Sequence, residues 1–296
     1  MKYYLGIDGG GTKTTAAVSD ETGKIILKES GETINFYSVG MEAARNNLAD
    51  VIEKLKNTLG ICRFDGAFIG CSALDSDADE ETINALCGGI INADRIGMSS
   101  DVYVALKASS SNCIAICGTG SMAVAEKDDG TIIAKGGWGH IVGDEGSAYS
   151  IAIRAFRECC LMCDKNERTA LLESAEKFFG VDNLRKAIDL IYSPDKTKDY
   201  FAAFAKDVSS LADAGCGISK SIIIEEAKAY ARTVISLLKE TDNCHTLMLY
   251  GGVFQHNVLF RNEFITEIRK IYPLLQAEIL DIPPEEGALS IARSLK

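Results

Sequence analysis

One pattern occurs twice in this chain, and it restricts the fold more than any other feature. Tyr3–Ile7 is a short apolar run, followed by a glycine turn and a second run at Thr14–Val18. Asp20-Glu21-Thr22-Gly23 then reads as a hairpin turn into a third run, Lys24–Lys28. Short runs of this kind bounded by turn residues predict strands, and an acid–Gly turn between them predicts a hairpin. From Cys113 the order returns: Cys113–Cys117, the turn Gly118-Thr119-Gly120-Ser121, Met122–Glu126, the hairpin Lys127-Asp128-Asp129-Gly130, and Thr131–Lys135. The copies share little sequence, so the order of elements carries the argument. A repeated supersecondary unit of this size predicts a duplicated fold with two lobes, here residues 1–111 and 112–296.

Between and after the copies, strands alternate with helices. Met41–Leu59 has apolar residues at helical spacing and stops at Gly60. Ala67–Cys71 predicts a strand, Glu80–Ile91 a helix, Arg95–Met98 a strand and Val102–Ala108 a helix. The second half predicts helices over 146–160, 168–179, 200–212 and 218–239, a strand at Thr246–Tyr250, a helix over 259–271 and a strand at Ala277–Leu280. Pro283-Pro284 opens a terminal helix of about residues 285–296, expected to pack back on the N-terminal lobe. With only four prolines and no low-complexity linker, the lobes are expected to share a cleft.

Composition excludes several function classes. A net charge of -11 repels phosphate backbones, so nucleic acid is not an expected partner. No apolar run reaches the roughly 20 residues that span a bilayer, and the start meets Asp8 too soon for a signal-peptide core. A cytoplasmic protein without membrane contact is expected. Most of the ten cysteines read as small core residues. Cys159, Cys160 and Cys163 form the one tight cluster, on a predicted helix and without a second half at metal-ligand spacing.

Five segments carry chemistry. In Gly6-Ile7-Asp8-Gly9-Gly10-Gly11-Thr12-Lys13-Thr14, consecutive glycines after a strand let backbone N–H groups converge on phosphate oxygens, and Thr12 adds a hydroxyl. Asp8, at the strand end, can hold Mg²⁺ through water. The plainer alternative is an ordinary tight hairpin. Neither a Walker loop nor a dinucleotide fingerprint can be laid on the segment. Gly118-Thr119-Gly120-Ser121 occupies the matching place of the second copy. Asp101, in Ser99-Ser100-Asp101, either caps the following helix or accepts a proton from an attacking hydroxyl. The segment from Gly136 to Tyr149 holds the only Trp, several glycines and Asp144-Glu145, a composition suited to sugar hydroxyls and an apolar ring face. The alternative is a structural loop with a helix-capping Asp. Leu247–Tyr250 ends in Gly251-Gly252, bare backbone on which an adenine ring can lie.

Together these segments resemble the BadF/BadG/BcrA/BcrD ATPase family of the actin/hexokinase/Hsp70 superfamily, and within it the N-acetylglucosamine kinases. The most specific part is G-G-W-G-H-x-x-G-D-E-G-S-A-Y over residues 136–149. The resemblance implies an α/β, duplicated ribonuclease H-like (actin-like ATPase) two-lobed fold with mixed sheets flanked by helices. It implies ATP and Mg²⁺ as cofactors, with Asp8 at the metal and Gly10, Gly11, Thr12 and Lys13 in the first phosphate loop. Gly118, Thr119, Gly120 and Ser121 would form the second loop, and Gly251, Gly252 and Gln255 would line the adenosine. Asp101 would be the catalytic base, with Asn35, Gly137, Trp138, Gly139 and Asp144 on the sugar. The implied reaction is phosphorylation of the 6-hydroxyl of an amino sugar: N-acetylglucosamine first, with N-acetylmuramic acid and glucosamine as alternatives. A homodimer is also implied. Val102-Tyr103 departs from the small residues common in the family after this Asp. The rival expectations are an ATPase that activates a partner dehydratase, which would carry a cysteine-bound iron–sulfur cluster, and a regulatory sensor without turnover.

Overall fold

The computed structural model describes residues 2–74, 76–109, 111–241 and 243–295. The chain divides into two compact units, Met1–Ser110 with Leu280–Lys296, and Ser111–Ile279. Among the described residues no helix is long and apolar enough to cross a membrane.

The first unit opens with β1 (Tyr3–Gly9), β2 (Lys13–Asp20) and β3 (Ile25–Glu32). A single turn, α1 (Phe36–Val39), precedes α2 (Met41–Leu59). Helix α2 buries Ala44, Leu48, Val51, Ile52 and Leu55, one stripe at helical spacing, and stops at Gly60 in the left-handed conformation. Strand β4 (Gly66–Cys71), α3 (Glu80–Cys87), β5 (Ile96–Ser99) and α4 (Asp101–Ala108) follow. Helix α3 is shorter than the spacing predicts because Gly88-Gly89 ends it, Gly89 with φ 78°. The sheet order is β3-β2-β1-β4-β5. Strands β1 to β3 pair antiparallel as hairpins; β4 joins β1 in parallel and β5 joins β4 in parallel. Every residue of β4 is buried, as suits a central strand covered on both faces.

The second unit repeats this plan. It contains β6 (Cys113–Cys117), β7 (Ser121–Glu126) and β8 (Ile132–Gly136), then α5 (Ala148–Asp164) and α6 (Ala170–Phe179). Two short helices, α7 (Ile188–Ile191) and α8 (Lys198–Ala202), lead to α9 (Ala205–Asp213) and α10 (Gly217–Leu238). Strand β9 (Thr246–Tyr250), α11 (Gly252–His256), α12 (Val258–Arg269) and β10 (Gln276–Ile279) complete it. Its sheet order is β10-β9-β6-β7-β8. Read from the β8 edge, that is the first sheet again: two antiparallel hairpin pairs, then two parallel additions. The duplication therefore extends beyond the three-strand pattern to all five strands of each sheet. The single helix predicted over 200–212 is two helices. At the break Phe204 turns into the core and stacks on Phe156, ring centroids 4.6 Å apart.

The chain then returns to the first unit with α13 (Pro284–Ser294). The helix lies directly on β1 and α4. A Cβ at Gly6 would sit 2.5 Å from the Glu285 carbonyl, and one at Gly287 would sit 2.4 Å from the Val104 carbonyl. Backbones approach that closely only where side chains are absent.

Candidate active site

In the first unit the site grows from the ends of β1, β4 and β5. Asp8 is the next-to-last residue of β1, and its register partner on β4 is Gly70, which in turn pairs with Ser99 on β5. Residues in register point to the same face of a sheet. A Cβ at Gly70 would lie 3.2 Å from the Asp101 Cα and 2.8 Å from Val104 Cγ2, so the missing side chain lets the head of α4 settle beside Asp8. Burial pushes the Asp8 carboxyl up to about 7; the charges of Asp101 and then Glu285 add to the rise, and Lys13 opposes it. Asp101 is not the helix cap. Ser100 fills that position and its hydroxyl accepts from the Tyr103 N–H at 3.1 Å, so Asp101 opens the first turn instead. Tyr103 packs toward Phe68, 6.3 Å between ring centroids, and carries Lys107 over its ring.

The β1–β2 turn holds Gly10, Gly11 and Thr12, with Lys13 opening β2. Gly11, Thr12 and Lys13 are exposed, and nothing lies within 4 Å of a Cβ placed on Gly11. None of these glycines has positive φ, so the run serves close backbone access and not a left-handed turn. Thr33 Oγ1 donates to the Gly10 carbonyl at 2.8 Å and fixes the base of the loop. Asn35 is buried and caps α1: its Oδ1 accepts from the N–H groups of Tyr37 (3.1 Å) and Ser38 (3.0 Å), and its Nδ2 donates to Ser72 Oγ at 2.9 Å. Ser72 itself donates its N–H to the Gly9 carbonyl at 2.8 Å, which ties Asn35 to the glycine loop.

In the second unit the hairpin and the 136–149 segment meet. Cys117 pairs with Ser121 at the ends of β6 and β7, and Gly118, Thr119 and Gly120 form the turn. The Ala148 N–H donates to the Gly118 carbonyl at 2.9 Å, and Ser121 Oγ donates to the Glu145 carbonyl at 2.8 Å. A Cβ on Gly120 would lie 2.9 Å from an Asp144 carboxylate oxygen. Asp144 is therefore set against the turn. It is 6% exposed and holds φ 61°, a conformation few residues other than glycine adopt. Burial pushes its carboxyl up, while the backbone of Gly139, Lys198, the backbone of Ser121 and His140 act against the rise. It does not cap α5; Ser147 does, accepting from the Ser150 N–H at 3.1 Å.

Gly137 and Gly139 both have positive φ and swing the chain out so that Trp138 is 79% exposed. A cavity of about 440 Å³ lies against this loop, lined among others by His140, Gly143, Glu145, Tyr149, Arg154 and Glu226. Gly137, Trp138, Gly139 and Asp144 do not line it; their chain neighbours do. Glu226 is buried and accepts from the Gly146 N–H (2.8 Å) and Ser150 Oγ (2.7 Å), which pins the loop to α10.

Gly251 follows β9 with φ 106°, and a Cβ there would lie 2.4 Å from the Cys117 carbonyl. The glycine is thus required by contact with β6, whatever else it does. Gly252 opens α11, and Gln255 is exposed on it. Cys159 is buried, Cys160 exposed and Cys163 half-buried along α5. Sequence reasoning missed Gly70, Ser72, Glu226 and Glu285. Only Glu285, the acid just after a Pro-Pro helix start, has a local signal.

Two sheets of the same five-strand order, each with a glycine turn between its first two strands and helices on its faces, define the duplicated ribonuclease H-like class of actin-like ATPases. The chain belongs to the BadF/BadG/BcrA/BcrD ATPase family, whose model matches residues 5–291. It is 30% identical over 305 residues to an N-acetylmuramic acid/N-acetylglucosamine kinase of Clostridium acetobutylicum, with 99% of each chain covered. It is 26% identical over 332 residues to an N-acetyl-D-glucosamine kinase of Dictyostelium discoideum, covering 100% of this chain and 99% of that one. Among solved structures, a candidate N-acetylglucosamine kinase of Chromobacterium violaceum has the same fold, with TM-score 0.78, 20% identity and 99% of both chains covered.

Proposed function

We propose that this chain is an ATP-dependent kinase that phosphorylates the 6-hydroxyl of an amino sugar, N-acetylglucosamine or N-acetylmuramic acid, with glucosamine as a further candidate. The observation that carries the reading is the placing of Asp101 beside Asp8 at the strand ends of the first sheet. Asp101 accepts the proton of the attacking hydroxyl. Asp8 supplies a hard oxygen donor; burial first and then the charge of Asp101 hold it up at about 7, and a divalent cation relieves both costs, so the site fits Mg²⁺. Among the described residues no group of three or more acidic, His or Cys side chains could hold a metal alone. When bound, Mg²⁺ neutralises charge developing on the transferred phosphoryl group.

The remaining roles follow from access and donor chemistry. The open backbone of Gly10 and Gly11, with Thr12 and Lys13, receives phosphate oxygens, as do Gly118, Thr119, Gly120 and Ser121. Gly251, Gly252 and Gln255 take the adenosine. The Asn35 amide, whose oxygen is already committed to two backbone donors, offers an N–H to the sugar. Asp144 accepts from sugar hydroxyls, and the Gly137–Gly139 backbone presents the Trp138 ring. The names of the Clostridium and Dictyostelium relatives support the substrate class. The enzyme is placed in the cytoplasm, as a homodimer. A panel of amino sugars in a coupled ADP assay, with phosphate located on the product by NMR, tests this. ADP release indifferent to every sugar, or phosphate at a position other than C6, overturns it.

A further inference from the structure

We propose that the cavity beside the 136–149 loop is a subsite for a carboxylate carried by the sugar, the 3-O-lactyl group of N-acetylmuramic acid, with Arg157 and Arg154 setting the preference for it. The inference rests on the kinase reading above and names what selects among its candidate sugars. Those sugars differ only at C2 and C3, and N-acetylmuramic acid alone carries a carboxylate, on a short ether arm with one methyl group. The cavity, of about 440 Å³, is bounded within the second unit by that loop and by one flank of α5. Tyr149, Ile153 and Arg157 line it at four-residue steps along the helix, with Arg154 beside them. The loop wall is joined to the proposed sugar contacts. The Gly143 N–H donates to the Gly139 carbonyl at 2.9 Å, and a Cβ on Gly143 would lie 2.9 Å from the Trp138 Cβ. Asp144 follows Gly143 directly, so a sugar held by Trp138 and Asp144 stands at the edge of the cavity.

The lining matches both parts of a lactyl group. Ile141, Val142 and Ile153 offer apolar surface to its methyl. Ile141 and Val142 are 84% and 75% exposed, so that surface is open to a ligand. The carboxylate has two guanidinium groups to meet. Arg157 is exposed and has no ion-pair partner among the described residues. Arg154 reaches the buried Glu226 through Nη1 at 3.4 Å, which anchors its guanidinium and leaves the other N–H groups to donate. A guanidinium holds a carboxylate with two parallel N–H···O bonds, so a ligand of this shape and charge fits better than a neutral hydroxyl. The carboxylates of the cavity do not cancel this. Glu226 is already spent on the Gly146 N–H, the Ser150 hydroxyl and Arg154. Glu145 is exposed to water, and Glu158, adjacent to Arg157 on the helix, does not face it.

The test is titration calorimetry of the full chain with N-acetylmuramic acid and with N-acetylglucosamine, beside the coupled ADP assay on both sugars. Arg157→Gln keeps a good helix former at an exposed position. It is expected to raise the ratio of the Kd for N-acetylmuramic acid to the Kd for N-acetylglucosamine by roughly 10-fold or more. Arg157→Lys, which keeps the charge without the fork, is expected to recover part of that ratio. An unchanged ratio in Arg157→Gln, equal weakening of both sugars, or a natural chain that does not bind N-acetylmuramic acid overturns the subsite. The two readings fail separately. Selective loss of N-acetylmuramic acid binding without sugar-dependent ADP release sinks the kinase and keeps the subsite. Turnover of N-acetylglucosamine with a ratio indifferent to Arg157 sinks the subsite and keeps the kinase.

Discussion

Asp8 and Asp101 reach one face of the first sheet through a residue that has no side chain: Gly70 pairs with Asp8 and yields its Cβ position to the backbone of Asp101. Asp101→Asn keeps the shape and removes the base. Turnover is expected to fall by about 10²–10⁴-fold with little change in the KM for the sugar. The same substitution removes one of the charges that raise Asp8, so the Asp8 carboxyl is expected to drop from about 7. Steady-state kinetics and a carboxyl NMR titration check the two halves separately. A variant with near-normal turnover removes Asp101 from the role of base.

Asp8 gives stability a pH dependence whose sign can be worked out. Its carboxyl is held at about 7 in the fold against 3.8 unfolded. The folded protein therefore keeps a proton that the unfolded chain releases. The resulting stabilisation is complete below about pH 4 and is lost as pH rises through 7, with an upper bound of about 4 kcal/mol. Asp8→Asn is expected to flatten this slope between pH 4 and 7. Added Mg²⁺ should raise the melting temperature of the natural chain at pH 8 and not that of the variant. Thermal melts across the pH range decide it; parallel slopes for the two proteins contradict the assignment.

The two glycine positions at the proposed nucleotide site separate structure from ligand contact. At Gly251 a Cβ would strike the Cys117 carbonyl at 2.4 Å, and φ is 106°. Gly251→Ala is expected to cost at least about 2 kcal/mol of stability, from strain and overpacking. At Gly11 a Cβ meets nothing within 4 Å, and φ is not positive. Gly11→Ala should leave stability unchanged or raise it by about 0.4–1 kcal/mol, while the KM for ATP rises because the methyl blocks the phosphate approach. Urea unfolding paired with ATP titration distinguishes the two effects. A Gly11→Ala protein that binds ATP normally removes this loop from the phosphate site.

The chain's local chemistry and its long-range chemistry were unequally legible. Hairpins β1–β2–β3 and β6–β7–β8 are written in adjacent residues, as alternating runs around Gly-rich and acid–Gly turns, so the duplication and the α/β class could be read directly. The parallel additions β4, β5, β9 and β10 pair across long stretches of chain, and no local signal fixes their order. The same holds for the site. Asp8, Asp101 and Asp144 announce themselves as acids at strand ends or beside glycines. Gly70 and Ser72 do not, because their importance lies in which backbone they let through or tie down. The capping alternative for the two acids is closed only by the structure, for a related reason. Ser100 and Ser147 outcompete the neighbouring Asp101 and Asp144 for the capping position, and a short run such as Ser-Ser-Asp does not say which residue turns first.

Asp144 offers the sharpest test of whether its unusual backbone serves chemistry or only loop geometry. Its φ of 61° would cost a residue with a bulky or branched side chain of order 1 kcal/mol or more, a cost that asparagine and aspartate bear most easily. Asp144→Asn therefore keeps both the conformation and an oxygen to accept from the neighbouring backbone, and the unfolding free energy should stay within about 1 kcal/mol of the natural protein. The charge is lost, however, and a hydrogen bond to a charged group is worth about 1.5–3 kcal/mol. If the carboxylate holds the sugar, kcat/KM for the sugar falls by roughly 10–150-fold while the KM for ATP is unaffected. If the residue serves only to turn the chain, both kinetic constants remain as they were. Asp144→Ala is the complementary probe, since it should lose stability as well as activity through the positive φ. A protein in which Asn and Ala variants lose sugar turnover equally, but only Ala loses stability, assigns the carboxylate to the substrate and the backbone conformation to its delivery there.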